Sequence, residues 1–153
     1  VIGGAGPRML RLIARHADEW NVEISARARG KPIDFKVEKF DEYLENEGRD
    51  PDDVERSWLA HVLVREDEAA VESAVDDIFP LPWGEESDMD ETLDDAEDAR
   101  EKGSMLIGTP SQVATQIESI RNLGFDKLQL MFLDFPDTQG MELFSEEVMP
   151  EFR

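Results

Sequence analysis

Val1-Ile2-Gly3-Gly4-Ala5-Gly6-Pro7-Arg8-Met9-Leu10-Arg11-Leu12 opens as a strand, breaks on glycines and continues as a helix. Pro7 suits the first helical position, where an N–H would be unpaired anyway. Met9, Leu10, Leu12, Ile13, Ala14 and Ala17 then give a helix with a wide apolar face. Only Val1-Ile2 stands before the glycines, which is a stump of a parallel strand. The reading is a strand–turn–helix unit, in a chain expected to be the C-terminal part of something longer.

The same alternation continues outward from this unit. Trp20, Val22 and Ile24 alternate with polar residues and predict a strand over 20–24. Asp34 is placed to cap a helix carrying Val37, Phe40 and Leu44 on one face, with Gly48 as its stop. Arg49-Asp50-Pro51-Asp52 reads as a turn. Trp58 to Val64 is a nearly continuous apolar strand, and Asp67 caps a helix with Val71, Ala74, Val75 and Ile78 inward. Pro80 and Pro82 stop it. Thr109-Pro110-Ser111-Gln112 is a strong helix start, with a Thr cap, Pro in first place and Gln at the capping-box position. Val113, Ile117, Ile120 and Leu123 form its buried stripe, and Gly124 ends it. Leu128 to Leu133 is the last strand. A final helix over about 138–148 turns Met141, Phe144 and Val148 inward before Pro150.

Strands without alternation are buried on both faces, as in parallel sheets covered by helices, so the class is α/β. Four βα units make half of a (β/α)8 TIM barrel. A self-sufficient open sheet is the alternative. The chain is expected to be one partial domain over 1–153, with an acidic insertion at 80–104.

Composition narrows the function. The 153 residues carry 37 Asp plus Glu against 16 Lys plus Arg, a formal net charge of -21. That field excludes a basic nucleic-acid interface and docking on an anionic membrane. With 40% hydrophobic residues the chain still has a core to pack. Acid-rich, lysine-poor composition with a normal apolar fraction suits a salt-loving, archaeal cytoplasm, where screening shortens self-repulsion to about 3 Å at 1 M salt. No run of 18 apolar residues spans a membrane, and no signal peptide opens the chain. Without cysteine there is no disulfide, thiolate metal site or thiol nucleophile. Two histidines make no His-rich metal site; His16 reads as a surface or helix-packing residue and His61 as a packed, hydrogen-bonded one. The acidic run from Asp88 fails the calcium-loop template, offering Leu93 for the sixth-position Gly and Ala99 for the twelfth-position Glu.

Chemistry concentrates at the first turn. Glycines let a backbone approach a phosphate, and a helix N-terminus presents free N–H groups and the positive end of its dipole. Gly3, Gly4, Ala5 and Gly6 therefore form a candidate phosphate cradle, with Arg8 close enough to add charge. The turn is not the dinucleotide fingerprint, whose third glycine would fall at Met9, and no Walker-type Gly-Lys-Ser/Thr follows.

Four segments in order resemble the luciferase-like monooxygenase superfamily, which includes FMN-dependent monooxygenases and oxidoreductases that use the deazaflavin coenzyme F-420. They are Ile2 to Leu12 with Ala17-Asp18-Glu19-Trp20-Asn21, then Glu47-Gly48-Arg49-Asp50-Pro51, then Gly108-Thr109-Pro110-Ser111-Gln112-Val113-Ala114, then Leu143 to Pro150. The resemblance implies the last half of a (β/α)8 barrel, Val1-Ile2 ending its fifth strand. It implies that Gly3, Gly4, Ala5 and Gly6, with Arg8, hold the cofactor's phosphate, although relatives often have Glu-Lys where this chain has Pro7-Arg8. Trp20, at one end of a strand, is a candidate to border the cofactor, the alternative being a core residue. With the high-salt reading, coenzyme F-420 is favoured over FMN, and the substrate is a small molecule. The insertion at 80–104 could form part of a lid near that substrate. Residues around the cofactor ring would lie mostly in the other half of such a barrel, so no catalytic residue is assigned. Two rivals remain. One is a non-catalytic half-barrel, whose unpaired strand edges favour pairing with a second copy. The other is an open-sheet domain holding a different phosphate ligand.

Overall fold

The computed structural model describes residues 1–23, 32–78 and 105–153. Ile24 and the acidic insertion at 80–104 lie outside them. The chain groups into two compact units, Val1–Ala60 with Ser119–Gln129, and His61–Glu118 with Leu130–Arg153.

In the first unit, β1 (Ile2–Gly3), β2 (Glu19–Glu23) and the start of β3 (Glu55–Val64) pair in parallel. The register sets Ile2 opposite Trp20, Gly3 opposite Asn21 and Ser57 opposite Asn21. Helix α1 (Pro7–His16) follows β1, and α2 (Ile33–Asn46) follows β2. The α1 face buries Leu10, Ile13 and Ala14, while Leu12, expected inward, is 41% exposed. The apolar arc is narrower than a count of hydrophobic residues suggests. Helix α2 begins at Ile33, one residue before the expected cap, and Asp34 instead accepts the N–H of Phe35. Its core face is Ile33, Phe40 and Leu44. Trp20, Trp58, Phe40 and Phe125 close the core as a chain of ring contacts, with Trp20–Phe40 centroids 4.4 Å apart and Trp58–Phe125 5.1 Å.

The Arg49 turn explains itself structurally. The Arg49 guanidinium donates to the carbonyls of Ala14 and Ala17 at the end of α1, and to that of Asp53. It satisfies carbonyls that a helix C-terminus leaves open and places a cation where the helix dipole wants one. Asp50 and Asp53 complete a reciprocal capping box around the short 3₁₀ turn Pro51–Asp53.

Strand β3 starts at Glu55, three residues before the expected apolar run, because its first residues carry polar contacts. Glu19 is buried, accepting from the Ser57 hydroxyl at 2.6 Å and from Lys127 Nζ at 2.8 Å. Lys127 also reaches Glu55, at 2.9 Å, and Asn21 donates to Ser57 Oγ. The Lys127 and Ser57 hydrogen bonds hold the Glu19 carboxyl below the usual carboxylate range, against the opposing effect of burial; its own bonds to Glu19 and Glu55 raise Lys127. The Glu19 contribution to stability is present above the ordinary carboxylate pKa and is lost as pH falls through the lowered value. The Lys127 contribution is present below the ordinary ammonium pKa and is lost as pH rises through the raised one. Lys127→Met is expected to flatten both limbs of a melting-temperature–pH profile and to lower the melting point at neutral pH. A profile parallel to wild type would remove the pair from the stability argument.

In the second unit, Val62–Val64 of β3 pairs in parallel with β4 (Leu106–Gly108), and the Leu133 N–H, just past β5 (Lys127–Phe132), donates to the Val62 carbonyl at 3.0 Å. Strand β4 was not expected; three residues between an acidic run and a helix carry too little pattern. Asp67 caps α3 (Glu68–Ile78) as predicted, accepting the Ala70 N–H. At the start of α4 (Pro110–Arg121), Gln112 accepts the Thr109 N–H, which is the Gln arm of the expected capping box. Gly108 sits at φ +149°, and a Cβ there would lie 2.4 Å from Gln112 Oε1, so glycine is what lets the box fold back. The tail departs from the expected single helix. α5 (Gln139–Leu143) widens into a π-helical turn, Phe144–Val148, and tightens to 3₁₀ over Met149–Phe152. Phe144 and Val148 are buried as expected, but Met141 is 42% exposed and Gly140 takes the inward place.

Candidate cofactor site

The glycine turn leaves β1 and enters α1. Gly4 has φ +127°, and a Cβ on it would sit 3.3 Å from Met9, so only glycine makes this bend without strain. Its N–H donates to the Asn21 carbonyl at 3.1 Å, and its own carbonyl accepts Trp20 Nε1–H at 2.7 Å. The Gly4 amide is therefore spent inside the fold. Gly6 differs. It takes an extended conformation, φ -79° and ψ 153°, as the residue before α1, and a Cβ there would meet nothing within 4 Å. Among the described residues, no backbone acceptor faces the N–H groups of Ala5, Gly6, Arg8 and Met9. Pro7 has no N–H, so it leaves a gap in the row of donors without weakening the helix start. Arg8 is exposed on the first turn.

The structure thus brings Gly3, Gly4, Ala5, Gly6 and Arg8 together on one bend, with open space at Gly6. Of these, Gly4 has no free N–H; Ala5 and Gly6 keep backbone N–H groups that meet no backbone acceptor among the described residues, and Arg8 is a nearby exposed cation, which is the donor chemistry a phosphate would need. Trp20 is placed differently from a ring that borders a ligand. It is 0% exposed, packed between Phe40 and Phe125, and reaches the turn only through its indole N–H.

The second unit holds a polar feature that sequence reading missed. Arg65 follows β3 and Asp134 follows β5, and their side chains meet at 2.8 Å, 11% and 5% exposed. Arg65 Nη1 also donates to the Val64 carbonyl. Gly140 packs on the pair, since a Cβ there would meet Asp134 Oδ2 at 2.6 Å. A cleft of about 400 Å³ beside it is lined by Glu66, Asp67, Asp77 and Asp137 as well. The available signal was a charged residue directly after each apolar strand, which is where barrel enzymes keep polar groups. His61 is half-buried within β3, and His16 is exposed on α1.

Among the described residues, no group of three or more His, Asp or Glu is placed to hold a metal ion, and no helix is long and apolar enough to cross a membrane.

Comparison with known proteins agrees with this architecture. The family model of luciferase-like monooxygenases matches residues 1–127. The coenzyme F420 dependent tetrahydromethanopterin reductase from Methanopyrus kandleri superposes with TM-score 0.66 at 19% identity, over 99% of this chain and 50% of its own. Monooxygenase RslO1 from Streptomyces bottropensis gives TM-score 0.70 at 17% identity, over 99% and 47%. A riboflavin lyase solved with modified FMN and riboflavin gives 0.64 at 16% identity, over 99% and 42%. No curated protein matches the chain. The chain spans about half the length of the solved structures it matches, and its α/β fold is that of about half of a luciferase-like TIM barrel. The chain belongs to the luciferase-like monooxygenase family.

Proposed function

We propose that the protein is a flavin- or deazaflavin-dependent oxidoreductase that holds its cofactor's phosphate at the glycine turn. The observation that carries this is the turn from Gly3 to Gly6: a strand end, N–H groups at Ala5, Gly6, Arg8 and Met9 that have no backbone acceptor among the described residues, and open space over Gly6. When bound, such a cofactor supplies the hydride or oxygen chemistry, and the protein supplies grip and orientation. Ala5 and Gly6 offer backbone donors to phosphate oxygens, the first turn of α1 adds the positive end of its dipole, and Arg8 adds an exposed charge. Coenzyme F-420 is favoured over FMN because of the salt-adapted composition, and structures of this fold include users of each. A small-molecule substrate and a salty cytoplasm belong to the same reading.

The test is made at Gly6, because Gly4 at φ +127° would strain the turn itself. Gly6→Val keeps an extended backbone that valine accepts, costs a helix cap at most about 1 kcal/mol, and fills the space a phosphate needs. Fluorescence titration with F-420 and FMN in molar salt is expected to show at least a tenfold loss, with an unchanged circular dichroism spectrum. Arg8→Ala should cost less, at most the 1.5–3 kcal/mol or so of a hydrogen bond to a charged group. Unchanged affinity in Gly6→Val would remove the phosphate site.

A further inference from the structure

We propose that Trp20 is the positioning residue of the glycine turn, aiming the Ala5 N–H through its hydrogen bond to the Gly4 carbonyl. The inference rests on the reading of that turn as a phosphate site. Gly4 sits at φ +127° with no side chain to pack, so its neighbouring peptide planes need outside bonds to hold their direction. Two residues of β2 provide them. The Asn21 carbonyl takes the Gly4 N–H at 3.1 Å, and Trp20 Nε1 gives its proton to the Gly4 carbonyl at 2.7 Å. The Gly4–Ala5 peptide is trans. In a planar trans peptide the C=O and the following N–H point in opposite directions. A carbonyl drawn toward a fully buried indole therefore turns the Ala5 N–H away from the core, to the side where no backbone acceptor among the described residues meets it. The indole is held in turn by Phe40, at 4.4 Å between centroids, and by Phe125, at 5.5 Å. It cannot swing to follow the turn. Trp20 thus acts on a ligand it does not touch.

Trp20→Phe keeps a ring in the cluster and deletes the N–H. Replacement of Trp20 by 3-benzothienylalanine, in which sulfur replaces the N–H group, keeps the shape as well and serves if the phenylalanine variant folds poorly. Two readouts are needed. Amide hydrogen exchange of the peptide covering 2–10 is expected to quicken several-fold, while peptides covering 55–64 and 110–121 stay as in wild type. Affinity for FMN is expected to fall about two- to tenfold, the loss of one neutral hydrogen bond, with affinity for riboflavin unchanged; F-420 against its phosphate-free deazaflavin should behave alike. A purely structural role would weaken phosphorylated and phosphate-free ligands equally, and that result overturns the proposal, as does unchanged exchange over 2–10. If wild type binds FMN and F-420 no tighter than their phosphate-free forms, the phosphate site itself fails, and the exchange data alone then decide whether Trp20 sets the turn.

Discussion

Arg65→Met is expected to destabilise the protein by about 3–5 kcal/mol, read from urea unfolding in molar salt. The reason is what the substitution leaves behind. Asp134 is 5% exposed, and among the described residues its Oδ1 already has no hydrogen-bond partner. Arg65 is the counter-charge to Oδ2, at 2.8 Å. Removing it leaves a nearly buried carboxylate without its counter-charge. Pairing Arg65→Met with Asp134→Leu should recover most of the loss, because no buried charge remains. A single variant within 1 kcal/mol of wild type, or a double variant as unstable as the single, would show that the pair is not energetically buried.

Phe125→Ala is expected to cost a similar amount, about 3–5 kcal/mol. Phe125 is 0% exposed, 5.1 Å from the Trp58 ring in an edge-on contact and 5.5 Å from Trp20. Its ring fills the space between two tryptophans. Truncation also frees Trp20 to tilt, so tryptophan emission should shift to the red before global unfolding. Phe125→Leu keeps most of the volume and should cost less than half as much. A loss under 1 kcal/mol for the alanine variant would mean that the site collapses and refills.

Phe125 also shows where sequence reading stops. It follows the helix stop at Gly124 and belongs to no periodic segment, so no pattern marks it as core. Trp58, in an apolar run, was legible as a strand residue. The strands over 20–24, 58–64 and 128–133 emerged near 19–23, 55–64 and 127–132, because apolar strands between helices leave few other readings. Errors fell where tertiary contacts override local pattern. Glu55 and Ser57 extend β3 because Lys127 and Glu19 wait for them across the sheet. Met141 yields its inward place to Gly140, against which Arg65 and Asp134 pack. At the candidate site, the glycines were legible from their type and their place before Pro7. The consumption of the Gly4 amide was not, since it depends on the register between β1 and β2. Trp20 was legible as a residue of interest, but its exposure and its hydrogen bond are facts of packing.

The alternation along β2 works like an error check on the whole turn. Glu19 and Asn21 point to one side of the strand, into the Ser57 and Lys127 contacts; Trp20 and Val22 point to the other, into a core where both are 0% exposed. Sliding β2 by a single residue would press a carboxylate against Phe40 and Phe125 and push an indole onto an ammonium. Neither arrangement is tolerable, so the neighbouring misalignments are forbidden rather than merely less stable. Since Gly4 is bonded to Asn21 and Trp20, a one-residue slip would carry the bend with it by about 3.3 Å, roughly the length of one hydrogen bond. The parity of a five-residue strand thereby fixes the position of a binding loop to better than that step.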